Sequence, residues 1–417
     1  MAVNLDLRKL QDIVNENEFK KLYQNGLAYA EEIEKDSSIG FTELPETLEH
    51  VNKAKEIADK LPENVDTLLV LGIGGSALGA KMVRDAFQNN LTKKLIILDN
   101  VDPETIYSVA SSMNPEKTVI NVISKSGTTV EPISQFKFFF NLFEKELGEA
   151  ETLKRIVITT DREKGVLRKL ADEKGILSME VPANVGGRFS VLTPVGIFPL
   201  QYCGIDTKSL VNGALNEKKE GADKSVKGAV LDYLFFNKGK NIKVMFIYSD
   251  NLYRFGEWYL QLFAESLGKR FDRDGNEVKV GATGVLAKGV TDQHSQVQLY
   301  KEGPEDKFFA FFKIKNKKDI LIPDSLSEYK ELSYLNGKTF SKLMDAECEG
   351  TMQALENDGK PLILYEIDEL SIENMGRLIY LFELQTAICG YLYNINPFDQ
   401  PGVEEGKIIA KRLLGYN

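Results

Sequence analysis

Cysteine is scarce here: Cys203, Cys348 and Cys389 are the only three in 417 residues. They lie far apart with no Cys-x-x-Cys pair, which indicates neither a disulfide framework nor a zinc knuckle, and they are expected as buried thiols in a reducing compartment. Long apolar runs are also missing, none reaching the roughly 18 residues of a membrane helix. The N-terminal stretch MAVNLDLRKLQDIVNENEFKK carries charges at helical spacing without an apolar core, so no signal peptide is read there. Positive charge is in deficit. Lys and Arg number 52 against 62 Asp and Glu, a net charge of −10, which argues against a nucleic-acid or acidic-membrane face and requires any anion to be held locally. Low-complexity segments and short repeats are absent too, and a soluble cytoplasmic protein is expected.

What is present is length and alternation. A chain this long exceeds the ~250 residues at which single cores usually stop growing, so two α/β domains are expected. Residues 5–34 space Leu7, Leu10, Val14, Leu22 and Ile33 as amphipathic helices do, and DSSIGFTELP (36–45) breaks that pattern. From Thr67 short apolar strands alternate with helices. TLLVLGI, KKLIILD, TVINVIS, RIVIT and ILSMEVP read as strands, with helices over SALGAKMVRDAF, PETIYSVASSM, about Val130–Leu147 and near Glu163–Leu170. Such alternation predicts a parallel sheet covered on both faces, with ligand chemistry at the carboxyl ends of its strands. After a helical connection around 207–238, a second α/β unit begins with the strand NIKVMFIYS and the helix NLYRFGEWYLQLFAESLG. It continues through the strand candidates DKFFAFFKI and DILIP, a polar helix near 338–357, the strand KPLILYEI and the apolar helix MGRLIYLFELQTAICGYLY. The division expected is a helical arm over 1–45, domains over 46–206 and 207–398, and a tail over 399–417 closed by the helix VEEGKIIAKRLLG.

Two loops at strand ends carry anion chemistry. In LGIGGSALG, Gly72, Gly74 and Gly75 lie between a strand and a helix, where backbone N–H groups close on an anion and Ser76 adds a hydroxyl. The same residues satisfy a loose dinucleotide fingerprint, Gly72-x-Gly74-x-x-Ala77, with Asp99 at about the ribose-binding distance, so nucleotide and phosphate stand level on this loop alone. The second loop favours phosphate. Ser124, Lys125, Ser126, Thr128 and Thr129 supply four hydroxyls and a lysine, more than a helix cap needs and suited to the terminal oxygens of a phosphate monoester. In VPANVGGRFSVLTP, Gly186 and Gly187 let the backbone turn, and Arg188 offers a planar fork of donors, an anion clamp.

The candidate base is Glu265 in QLFAESLGK. It lies on the face of Trp258 and Leu262 in the helix beginning near Tyr253, where a partly desolvated carboxylate suits proton transfer. Gln261, one turn earlier, is placed to hydrogen-bond a ligand or orient the acid. A helix-end glutamate paired with Lys269 is the competing reading. His294 follows Thr291 and Asp292, two candidate helix caps, so it is expected in a first helical turn as a neutral imidazole able to give or take a proton. His50 stands at a helix edge and reads as structural.

Together LGIGGSALG, ISKSGTTVEP, NVGGRFSVLTPVG, QLFAESLGK, DQHSQVQLY and DQPGVEEGK resemble, in order, the motifs of the glucose-6-phosphate isomerase (phosphoglucose isomerase) family in its compact bacterial form, from about residue 50 to the C-terminus. The resemblance implies an α/β fold of two sugar-isomerase (SIS) domains with flavodoxin-like topology, each a parallel sheet with helices on both faces, plus N-terminal helices and a closing C-terminal helix. It implies hexose 6-phosphates as partners and reversible conversion of D-glucose 6-phosphate to D-fructose 6-phosphate without metal, nucleotide or other cofactor. Matched motif by motif, Gly75, Ser76, Ser124, Lys125, Ser126 and Thr129 would line the phosphate site, and Gly187, Gln261 and Gln400 would contact substrate. Glu265 corresponds to the base that moves a proton between C2 and C1, and His294 to the ring-opening residue. Arg188 corresponds to the stabiliser of the cis-enediol(ate), and Lys407 to the tail lysine at the active site.

Family members are homodimers in which the histidine reaches the neighbour's active site, so a homodimer is expected. The chain departs from the family at Ala264, where Met usually precedes the base, and it lacks the insertions of longer eukaryotic members. A non-catalytic sugar-phosphate sensor would keep the loops without needing Glu265, His294 and Lys407 together. A nicotinamide oxidoreductase would use Gly72–Ala77 and Asp99. Another SIS isomerase would share the phosphate loops without QLFAESLGK and DQHSQ.

Overall fold

The computed structural model describes residues 2–8 and 14–415. In chain order its strands are β1 (Val3–Asp6), β2 (Thr67–Leu71), β3 (Lys94–Leu98), β4 (Thr118–Ser124), β5 (Ile156–Thr160), β6 (Leu177–Glu180), β7 (Ile242–Tyr248), β8 (Lys269–Phe271), β9 (Glu277–Val280), β10 (Thr283–Lys288), β11 (Lys307–Asn316) and β12 (Leu362–Glu369). One parallel sheet runs β3-β2-β4-β5-β6. Its middle strand β4 is buried at every position, as an unbroken apolar run covered on both faces must be. Phe136, Phe139 and Phe143 of the helix Val130–Leu147 pack with Leu69, Ile120 and Ile158 on one face. Met82 and Val83 of the helix Leu78–Ala86 and Phe198 of the helix Pro194–Tyr202 join the core that holds Leu68, Val70 and Val157 on the other.

Counted within this sheet, the strand order is 2-1-3-4-5, the flavodoxin-like winding. The connection out of β2 turns toward β3, whereas β4 starts the winding toward the opposite edge, so a crevice opens between the carboxyl ends of β2 and β4. Gly72–Ser76 follows one of those ends and Ser124–Thr129 the other.

The second sheet runs β1-β12-β11-β7-β10 and repeats the parallel winding, with β1 added antiparallel to β12 at one edge. The helix Ile372–Leu392 is buried continuously from Asn374 to Tyr391, which accounts for its nearly unbroken apolar sequence. Phe382 from this helix meets Phe255 and Tyr259 of the helix Tyr253–Leu267, fixing the element that carries Glu265 against the core.

Several local readings need correction. Residues 3–6 form β1 rather than the start of a helix, and the amphipathic helix proper is Glu16–Lys35; Leu10 lies outside the described residues. The helix expected near 163–170 begins at Val166, behind Gly165 at φ +94°. DILIP is not a strand: Ile320 and Leu321 are about two-thirds exposed at 63% and 62%, and only an isolated bridge joins Leu321 to Thr339. The hairpin β8–β9 and the edge strand β10 have no counterpart in the sequence reading.

Candidate active site

The glycine loop and the arginine loop meet directly. Gly74 takes φ +56°, and a Cβ placed on Gly75 would lie 2.2 Å from the Gly187 carbonyl oxygen and 2.7 Å from the Arg188 nitrogen. Only glycine at 75 lets the two backbones touch. Ser190 Oγ donates to the Gly187 carbonyl at 2.7 Å, holding the turn Gly187–Phe189 from behind.

Arg188 is buried at 3% exposure, and each of its five N–H donors ends on a protein acceptor. Nε donates to Ser266 Oγ at 2.7 Å. One terminal nitrogen reaches Glu265 Oε2 at 3.3 Å and Gln400 Oε1 at 2.8 Å, and the other the carbonyls of Pro397 at 2.6 Å and Asp399 at 2.9 Å. The guanidinium is thus a fixed buried charge behind the carboxylate, rather than the open fork its sequence context suggests. Burial pulls its pKa below the usual arginine value, against the pull of Glu265 and Asp399.

Glu265 is about one-third exposed, its side chain at 33%, and its second oxygen accepts from Gln261 Nε2 at 3.0 Å. Gln261 orients the acid, as its position one turn earlier allowed, while its own Oε1 is buried without a partner beside the glycine loop. Lys269 does not pair with the Glu265 carboxylate. Its ammonium donates instead to the main-chain carbonyls of Glu265 at 2.6 Å, Ser266 at 3.1 Å and Asp399 at 2.9 Å.

In the hydroxyl loop Ser124 Oγ and Thr129 Oγ1 lie 2.9 Å apart and Ser126 Oγ is 3.4 Å from Thr129. Thr129 stands at the N-cap of the helix Val130–Leu147 without capping it, so the first-turn N–H groups face the loop uncapped by a side chain. Lys125 is turned away from the hydroxyls. Its ammonium donates to the carbonyls of Ala183 at 2.8 Å and Val185 at 2.9 Å, tying this loop to the segment that leads into Gly186 and Arg188, and burial lowers its pKa. Ser76 sits half-buried at the crevice with its backbone in the turn Gly74–Ser76. Asp99 accepts an ion pair from Lys81 at 2.6 Å, which removes the free carboxylate a ribose would need.

Comparison with known proteins decides the family. Residues 42–416 match the family model described as Phosphoglucose isomerase. A glucose-6-phosphate isomerase from Carboxydothermus hydrogenoformans is 40% identical over 415 residues, covering 95% of this chain and 89% of that one. One from Rubrobacter xylanophilus is 39% identical over 392 residues, covering 90% and 89%. The chain belongs to the phosphoglucose isomerase family. Among solved structures, a hypothetical protein from Thermus thermophilus superposes at TM-score 0.89 with 35% identity over 99% of both chains. A glucose-6-phosphate isomerase from Chlamydia trachomatis, at TM-score 0.85 and 21% identity over 99% of this chain and 88% of that one, shares the fold.

Two residues matched to the family motifs are not brought to Glu265 by any hydrogen bond or ion pair among the described residues. His294 is exposed and closes the short turn Thr291–His294, ahead of the helix Val297–Glu302 rather than inside its first turn. Asp292 fixes that turn by accepting from the Lys288 backbone N–H and Ser295 Oγ, each at 2.6 Å. Lys407 is exposed on the tail helix Glu404–Leu413 and pairs with Glu404 at 2.7 Å. His50 lies half-buried beside a cavity of about 540 Å³ that residues 182–185 also line, its pKa lowered by burial. Sequence reasoning missed Ser266 and gave Lys269 no role beyond the competing reading of an ion pair with Glu265, which the structure does not form. The available signal was position, since a lysine just past a helix end meets the carbonyls that the last turn leaves unpaired. Cys203, Cys348 and Cys389 are free and buried.

Proposed function

We propose that this chain interconverts D-glucose 6-phosphate and D-fructose 6-phosphate, with the sugar phosphate lying across the crevice between the two anion loops and Glu265. The observation that carries the reading is the Glu265 carboxylate held between Gln261 at 3.0 Å and buried Arg188 at 3.3 Å, next to the glycine loop. In the open-chain aldose, Glu265 removes the C2 proton, the C–H electrons form a C1–C2 double bond and the C1 carbonyl becomes the enediol(ate) oxygen. A proton then passes from the C2 hydroxyl to the C1 oxygen, and as Glu265 returns the carbon-bound proton to C1 the double-bond electrons form that C–H bond and the carbonyl is left at C2. The buried charge of Arg188 stabilises the oxyanion in that step. Ser76, Ser124, Ser126, Thr129 and the backbone at Gly75 grip the phosphate, which does not change during the reaction and therefore contributes positioning.

Ring opening is assigned to His294, assisted by Lys407, protonating the ring oxygen. In this reading His294 acts in the neighbouring subunit of a homodimer. Support comes from the tail helix, which buries none of its residues on this chain and exposes Ile408, Ile409 and Leu413. No helix among the described residues is long and apolar enough to cross a membrane, and we place the protein in the cytoplasm, in glycolysis and gluconeogenesis.

A coupled assay of glucose 6-phosphate formation in EDTA tests the reading. Wild type should turn over, and Glu265→Gln should lose about 10²–10⁴-fold in kcat while fructose 6-phosphate still protects it from thermal unfolding. Equal rates would remove Glu265 from the role of base. A wild type that binds but does not turn over would favour the sensor.

A further inference from the structure

We infer that Lys269 is a positioning residue that clamps the tail segment 397–400 onto the end of the helix bearing Glu265, so that the base and Gln400 keep their relative placement. The inference deepens the proposed isomerase reading and rests on it for its kinetic consequence. Lys269 is 8% exposed, and its three N–H donors are matched by three carbonyls. Two belong to the last turn of the helix Tyr253–Leu267, where intrahelical partners have run out and a cation complements the helix dipole. The third, Asp399, comes from a distant part of the chain and also accepts from Arg188. The two buried cations therefore meet on one carbonyl, immediately before Gln400, whose side chain Arg188 holds.

A lysine used only as a helix cap would not need the Asp399 carbonyl, and a lysine used only as a charge partner would have chosen the Glu265 carboxylate. The charged groups facing its ammonium are Arg188 from the arginine loop, Asp399 from the tail, with a carboxylate oxygen at 3.6 Å, and Glu265 from its own helix. Burial and then Arg188 pull its pKa down to about 8, while Asp399 and Glu265 oppose the fall. The consequence follows from donor count. The ammonium satisfies three carbonyls; the neutral amine has two N–H groups and a lone pair, so one carbonyl is left facing the lone pair. Losing that contact is outweighed by the desolvation that deprotonation relieves, which is what a pKa below the usual lysine value records, so raising the pH does not by itself release the segment.

The test combines rates with hydrogen exchange on the full-length protein. For wild type, the backbone amides of 397–403 should exchange slowly at neutral pH, and their protection, corrected for intrinsic pH dependence, should not fall as pH rises through 8, since the clamped state is the one with the lower lysine pKa. In Lys269→Met, kcat at neutral pH should fall between about ten- and a hundredfold with KM changed far less, as expected for misplacement rather than lost binding. Its tail should exchange fast at every pH. Wild-type kcat and wild-type tail protection in Lys269→Met would overturn the inference, as would fast exchange at 397–403 in the wild type at neutral pH, a measurement that needs no variant. Absence of wild-type turnover would count against the isomerase reading alone, because the exchange data still decide whether the clamp exists.

Discussion

At the scale of single residues, the site depends on Arg188 more than on any other side chain, because it touches the base, the helix behind the base and the tail at once. Lysine offers three donors from one point, where the guanidinium offers five in a plane, so Arg188→Lys must abandon at least two of the acceptors on Ser266, Glu265, Gln400, Pro397 and Asp399. The charge survives but its placement does not. Initial-rate kinetics should show kcat reduced by about 10²–10³-fold, the usual cost of losing one pre-organised stabiliser of an oxyanion. KM for the sugar phosphate should move only a few-fold, because Arg188 makes no contact with the hydroxyl loop. A large KM change with kcat intact would mean that the arginine binds ground-state substrate, as the open-fork reading of the sequence supposed. That reading was incomplete for a physical reason: Gly-Gly-Arg declares a turn and a donor fork, but not which way the fork points, and its acceptors at 397–400 are set by tertiary contact.

At the scale of elements, the contact between the glycine loop and the arginine loop separates two kinds of glycine. A methyl at Gly75 would strike backbone atoms, 2.2 Å from one and 2.7 Å from another, with no flexible side chain to yield, whereas a Cβ at Gly187 meets nothing within 4 Å. Gly75→Ala should push the loops apart, lowering the melting temperature and activity together. Gly187→Ala should leave the melting temperature near wild type and raise KM, because its methyl projects into space that substrate is expected to occupy. Calorimetry and steady-state kinetics on the pair check this, and a Gly187→Ala variant with unchanged KM would remove Gly187 from the binding site. The same scale shows which elements the sequence could announce. β2, β4 and the helix Val130–Leu147 were legible because burial on both faces of a sheet produces continuous apolar runs, and a long amphipathic stripe has a period of its own. β1 was not, since four residues become a strand only by pairing with residues 364–367 of β12. β10 is a partly exposed edge strand with Gly284 in it, packed under Leu260, and such a strand has little periodic signal. Ile320 and Leu321 misled in the opposite direction, being apolar but exposed.

At the scale of the whole molecule, the described chain assembles the base, its orienting groups and the two anion loops, but leaves His294 and Lys407 apart from them. The tail explains how both facts coexist. Residues 397–400 are held by Arg188 and Lys269, with Phe398 against Phe189 at 5.5 Å, and beyond them the helix Glu404–Leu413 exposes Ile408, Ile409 and Leu413 without covering any of its residues on this chain. An apolar face of this kind on a helix is stabilised by association, and a two-fold dimer would place each such face against the partner. Subunit mixing tests whether His294 then serves the opposite site. Glu265→Gln and His294→Ala are each expected to be nearly inactive as pure proteins. If the histidine acts across the interface, a heterodimer of the two contains one site with both substitutions and one site with neither. Dissociating and reassociating an equal mixture should then restore about a quarter of the wild-type rate, since half of the dimers are mixed and half of their sites are intact. If both residues act within one subunit, every site carries one substitution and mixing restores nothing. Size-exclusion chromatography with light scattering on the same samples, together with Ile408→Glu, which should shift the protein toward monomer, separates failure to exchange subunits from failure of the idea.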